Sequence, residues 1–141
     1  MSLMSTDSPL RVLVYSDDRT TRDAVRFALG KRPAMDLAEL EYVECATEPA
    51  VIKMMDAGGI DLAILDGEAV PAGGMGIARQ LKDEIYRCPP LLVLIGRPQD
   101  AWLATWSRAD AAVSHPLDPF RLAETVATLL RAPSSDLPAR A

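Results

Sequence analysis

The sequence has little of what marks several common protein classes. Its longest apolar runs, Leu62 to Leu65 and Leu91 to Ile95, fall far short of the ~20 residues a membrane-spanning helix needs, so no segment is expected to cross a bilayer. Met1 to Ser8 carry neither a basic nor an apolar stretch, so no secretory signal is visible, and Met1-Ser2-Leu3 ahead of Met4 reads as a cloning scar. The two cysteines, Cys45 and Cys88, are too few and too separated for a disulfide framework or a metal cluster, which points to a reducing, cytoplasmic compartment. Basic charge is also scarce. Fifteen Lys and Arg against 20 Asp and Glu leave a net charge of -5, and this disfavours direct contact with a nucleic-acid backbone.

What remains is ordinary globular material. With 49% hydrophobic and 25% charged residues in 141, the chain supports one core and one domain, expected over residues 10–131. Residues 1–9 and the small, polar, proline-containing stretch 132–141 are expected to be disordered.

Five short apolar runs alternate with helix-like segments: Leu10 to Tyr15, Tyr42 to Ala46, Leu62 to Leu65, Leu91 to Ile95 and Ala111 to Ser114. Three are continuously apolar, as strands covered on both faces are. Between them, Ala24, Val25, Ala28 and Leu29 form a stripe at helical spacing ended by Gly30. Thr47 caps a second helix with Pro49 in its first turn, Val51, Met54 and Met55 on its inner face, and Gly58-Gly59 at its end. Ile77, Leu81 and Ile85 mark a third. Trp102, Leu103 and Trp106 share a face of a fourth, and such a tryptophan pair more often fills a core than forms a binding patch. Asp118-Pro119 starts a fifth, faced by Leu122, Val126, Leu129 and Leu130. The glycines of Gly73-Gly74-Met75-Gly76 are expected to form a flexible loop. This order predicts a (βα)5, doubly wound, five-stranded parallel sheet in a three-layer α/β/α sandwich of flavodoxin-like topology, with ligands beyond the carboxyl ends of the strands.

Two acidic strand ends converge there. The first strand ends in Tyr15-Ser16-Asp17-Asp18 and the third in Leu65-Asp66-Gly67-Glu68. Carboxylates brought together repel, and a hard divalent cation such as Mg²⁺ is the usual remedy. Beside such a cation a carboxylate can attack a phosphoryl group. Asp17 also suits a helix N-cap, whereas a carboxylate ending a buried strand is costly without a partner or a task.

In order, these landmarks resemble the receiver domain of bacterial two-component response regulators. Gly74, Ile77 and Leu81 fall at the family's spacing from Asp66, and Ser114-His115-Pro116-Leu117-Asp118-Pro119 resembles its Lys-Pro followed by a helix start. The resemblance covers roughly Leu10 to Leu130. It implies Asp66 as phospho-acceptor, and Asp17, Asp66 and the backbone carbonyl of Glu68 as Mg²⁺ ligands. Its phosphate-contact and switch positions fall at Ile95, Gly96, Ala112 and His115. It further implies a histidine kinase or phosphotransfer protein as donor, a downstream protein partner, and dimer contacts through the fourth helix, fifth strand and fifth helix.

The departures weaken parts of that site. Ser16 stands where the family has an acidic residue, which implies weak Mg²⁺ binding. Ile95 stands for a Thr or Ser, Ala112 for an aromatic, His115 for Lys, and Pro71 comes one residue late. The implied function is an atypical, non-enzymatic single-domain receiver in a phosphorelay. The alternatives are an interaction module that has lost phosphotransfer and a flavin- or nucleotide-binding protein on the same sheet, since a fold does not fix function.

Overall fold

The structure, a computed structural model, describes residues 8–131. The expectations for 1–7 and 132–141 lie outside those residues. Five strands alternate with five helices: β1 Leu10–Tyr15, α1 Arg19–Leu29, β2 Leu40–Cys45, α2 Glu48–Ala57, β3 Leu62–Asp66, α3 Gly74–Glu84, β4 Leu91–Ile95, α4 Ala101–Ser107, β5 Ala111–Ser114 and α5 Pro119–Arg131. A 3-10 turn, Pro98–Asp100, precedes α4. All neighbouring strands are parallel, in the order β2-β1-β3-β4-β5. This is the doubly wound, flavodoxin-like sheet the sequence predicts.

Alternation along each strand divides the core in two. On one face Leu13, Tyr15, Leu65, Val93 and Ile95 meet Val51 and Met55 of α2, Ile77 and Leu81 of α3, and Ala104 of α4. On the other, Val12, Val14, Ile64, Leu94 and Val113 meet Val25 and Leu29 of α1 and Leu122 and Val126 of α5. Both central strands, β3 and β4, are buried throughout. At ~1.5–3 kcal/mol for each fully buried large aliphatic side chain, they anchor the sheet that carries Asp66.

Local chemistry sets the helix ends. The Asp18 carboxylate accepts from Thr20 N at 2.9 Å and caps α1, Thr47 caps α2, and Asp118 accepts from Phe120 N at 3.0 Å at the start of α5. Gly30, at φ 62°, ends α1.

Four local expectations need correction. β2 starts at Leu40 and ends at Cys45, because its partly exposed, alternating sequence continues the ladder to β1 below Tyr42. Ala24 is exposed, one position off the buried stripe of Val25 and Leu29. Gly74 opens α3 rather than lying in a loop. A Cβ there would fall 2.7 Å from the Leu65 carbonyl carbon and 2.8 Å from that of Asp66, so only glycine lets the helix start so close to the end of β3. Finally, Trp102 and Trp106 are 67% and 47% exposed. α4 is only seven residues long, and Ala104 and Ser107 fill its buried positions. The Arg79 guanidinium stacks 4.9 Å from the Trp106 ring and donates to the Trp106 carbonyl at 2.7 Å.

Candidate functional site

The chain leaves β1 for β2 on one side and later returns to β3 on the other, which opens a crevice at the carboxyl ends of β1 and β3. A cleft of roughly 400 Å³ lies there, lined by Asp17, Asp18, Thr21, Asp66, Glu68, Val70, Gly96 and His115. Five of the residues named from the sequence, Asp17, Asp66, Glu68, Gly96 and His115, thus share one cleft. A larger hollow of roughly 830 Å³, between Pro9 and the segment from Met35 to Glu41, holds none of them.

Asp66 ends β3 and is 3% exposed. Both its oxygens are held. The Ser16 hydroxyl donates to Oδ2 at 2.8 Å, and the Glu68 amide donates to Oδ1 at 2.9 Å. His115 Nε2 stands 3.7 Å from Oδ1, an ion pair when the imidazole is protonated. Ser16 is itself fully buried. Its hydroxyl oxygen accepts from Asp18 N at 3.0 Å, and its carbonyl accepts from Arg22 Nη1 at 2.6 Å. Arg22 is in turn held by Glu44 at 3.0 Å. Sequence reasoning passed over Arg22, because it sits in the second turn of an otherwise amphipathic helix and nothing local ties it to the strand end.

Asp17 is exposed, and its Oδ1 accepts from Val70 N at 3.1 Å, which ties the end of β1 to the loop after β3. Asp18 takes the capping role, so Asp17 is left facing the cleft. A Cβ at Gly96 would lie 2.8 Å from the Glu68 carboxyl carbon. The absence of a side chain at Gly96 therefore makes room for the Glu68 carboxylate. Tyr15 reaches the same loop, donating to the Ala72 carbonyl at 2.5 Å. Burial pushes its phenol above the usual range, and the charges of Asp17, Glu48 and Asp66 add to the shift.

Ile95 and Ala112 lie outside the cleft. They line a neighbouring hollow of roughly 430 Å³ with Pro98, Ala101, Val113, Ser114, Pro116, Asp118 and Arg121. The His115 amide donates to the Ile95 carbonyl at 2.8 Å and joins the two regions. The peptides before Pro71 and Pro116 are cis.

The residues present fit a Mg²⁺ site poorly. Ser16 occupies an acidic place and spends its proton on Asp66 Oδ2, and Val70 engages Asp17 Oδ1. Among the described residues, no cluster of three or more His, Cys, Asp and Glu is placed to share one ion. Nucleophilic sulfur is also missing from the site. Burial pushes the Cys88 thiol up to about 11 and also raises Cys45, which leaves both protonated near neutrality.

No family model matches the chain. Curated relatives do: the uncharacterized response regulatory proteins of two Mycobacterium tuberculosis strains, CDC 1551 / Oshkosh and H37Rv, are each 67% identical over 125 residues, covering 89% of this chain and 94% of theirs. Among solved structures, the CheY-like receiver domain protein of Methanospirillum hungatei superposes with a TM-score of 0.71 at 19% identity, covering 88% of this chain and 95% of that one. The chemotaxis response regulator CheY4 of Vibrio cholerae gives 0.72 at 18%, covering 86% and 99%. The structural likeness carries the fold and the 67% identity carries the family: the chain belongs to the response regulators, as a receiver domain of two-component signalling.

Proposed function

We propose that Asp66 accepts a phosphoryl group from a histidine kinase or a phosphotransfer protein, and that the domain then acts through a protein partner in the cytoplasm. The observation that carries this reading is the buried Asp66 carboxylate at the floor of the cleft, with His115 beside its Oδ1. In the transfer, an Asp66 oxygen lone pair forms the new O–P bond. The donor's P–N bond breaks, and the leaving imidazole nitrogen keeps the electron pair.

Receiver domains generally bind Mg²⁺ at this place. Here Asp17, Asp66 and the Glu68 carbonyl are the oxygens left to hold it, and binding at them is weak. The exposed Trp102 and Trp106 on α4 and Phe120, 87% exposed at the start of α5, support an α4–β5–α5 surface for the partner or for a second copy of the chain. The test is mass spectrometry of the protein after incubation with a small acyl phosphate. Phosphate on Asp66, absent in Asp66→Asn, is the expected result.

A second reading, an interaction module that works without phosphorylation, draws on Ile95 and Ala112, which offer neither a hydroxyl nor an aromatic ring to a switch. An unmodified Asp66 together with retained partner binding by Asp66→Asn establishes it instead.

A further inference from the structure

Ser16 does something that a carboxylate at its position does not. Its side chain is fully enclosed, its hydroxyl proton points to Asp66 Oδ2 at 2.8 Å, and its oxygen takes the Asp18 amide at 3.0 Å. Arg22 fixes its carbonyl at 2.6 Å. With the Glu68 amide on Oδ1 at 2.9 Å, each oxygen of Asp66 has a neutral donor. A buried carboxylate needs such compensation, and here it is complete without an ion. Among the described residues, no buried side-chain polar atom lacks a partner. A divalent ion approaching Oδ2 competes with the Ser16 proton for the same lone pairs, whereas an acidic side chain at position 16 attracts it.

We propose that Ser16 is a positioning residue that takes over, by hydrogen bonding, the carboxylate-holding work of a divalent cation, so that Asp66 accepts a phosphoryl group without one. This rests on the reading of Asp66 as acceptor. Ser16 pins Oδ2, while Oδ1, which accepts the Glu68 amide with one lone pair, faces His115 and attacks with the other. The Oδ1 lone pair forms the O–P bond, the donor's bond to phosphorus breaks, and the leaving group departs with its electron pair. The His115 imidazole lies on the side where the phosphoryl charge arrives.

The test uses the full chain with two probes, acetyl phosphate and Mg²⁺ alone. Phosphate on Asp66 is quantified by mass spectrometry with Mg²⁺ present or chelated, and Mg²⁺ is titrated against the ¹⁵N resonances of Gly67 and Glu68. In the wild type, incorporation is expected to be unchanged by chelation, and the amides should not saturate at low-millimolar Mg²⁺. Ser16→Asp should make incorporation sensitive to chelation and tighten Mg²⁺ by about tenfold or more, because a nearby opposite charge is added. Should that variant not fold, Ser16→Ala still decides. Loss of one hydrogen bond to a charged group lowers chelation-resistant incorporation about tenfold, while Mg²⁺ binding tightens because Oδ2 is freed. A purely structural serine moves neither quantity in that way. The proposal is overturned if wild-type incorporation stops on chelation, if only Ser16→Asp with Mg²⁺ is modified, or if Ser16→Ala matches the wild type in both readouts. Absence of phosphate on Asp66 in every variant fails the acceptor reading instead, and the Mg²⁺ titration then still judges whether Ser16 stands in for the cation.

Discussion

Two hollows sit next to each other at the carboxyl ends of the strands, and they carry different side chains. The cleft over Asp66 is polar, and hydrogen bonds from Ser16, Glu68 and Val70 hold its carboxylates. Its neighbour, roughly 430 Å³, places Ile95, Ala112 and Val113 beside Ser114, Asp118 and Arg121. The first keeps the acceptor carboxylate expected of a receiver. The second keeps neither the hydroxyl nor the aromatic ring expected to relay its state. On the reading of Asp66 proposed above, receiving a phosphoryl group and transmitting its arrival are separable properties, and this chain keeps the residues for the former.

The largest expected effect tests the boundary between the two regions. A ligand with equal affinity for both states shifts no population, and turning 1:99 into 99:1 takes ~5.5 kcal/mol of differential affinity. Ile95 forfeits a hydrogen bond to a charged group worth ~1.5–3 kcal/mol of that. NMR spectra recorded with a beryllofluoride phosphoryl mimic should therefore change around Asp17, Asp66 and His115 and stay fixed across α4 and β5. The combined variant Ile95→Thr, Ala112→Tyr and His115→Lys should extend the response to α4, with the tyrosine ring entering the open hollow. Long-range shifts in the wild type would erase the contrast between the regions.

A second effect, smaller, concerns what holds the polar cleft in place. Gly74→Ala puts a methyl against the backbone of Leu65 and Asp66. It should cost ~1–3 kcal/mol, as overpacking does, measured as a lower urea midpoint with unchanged slope. The hollow beside Ile95 and Ala112 should be untouched in the ¹⁵N spectrum. The smallest effect comes from Tyr15→Phe, which removes the hydroxyl from the Ala72 carbonyl. It should destabilise by ~1 kcal/mol and speed hydrogen exchange in the loop between β3 and α3. An unchanged loop would mean that the remaining contacts, Asp17–Val70 and Glu68–Asp66 among them, hold that side of the cleft without the Tyr15 hydroxyl.

The sequence and the structure agree where the signal is local. Continuous apolar runs gave β3 and β4, and cap residues gave the starts of α2 and α5 and, with Gly30, the end of α1. They part where the deciding contact is remote. Both Asp17 and Asp18 suit an N-cap, and spacing cannot rank them, whereas the Val70 amide, 53 residues away, claims Asp17. The glycine run from Gly73 begins several residues after β3 without a tight strand-to-helix turn, which reads as a loop, but the place of Gly74 is set by the backbone of another element. Ser16 was legible as a missing charge and not as a donor, because its partner lies 50 residues on. The exposure of Trp102 and Trp106 depends on the shortness of α4, which periodicity does not report.

That last feature makes the molecule its own optical gauge. Both tryptophans of the chain lie on α4, neither lines the acidic cleft, and one ring is stacked under a guanidinium whose own anchor is α3. Indole emission therefore samples the α3–α4 surface and not the chemistry at Asp66. If Asp66 reacts as proposed, the emission should stay constant, and it should change when a partner docks on α4 or when Arg79 leaves the Trp106 ring.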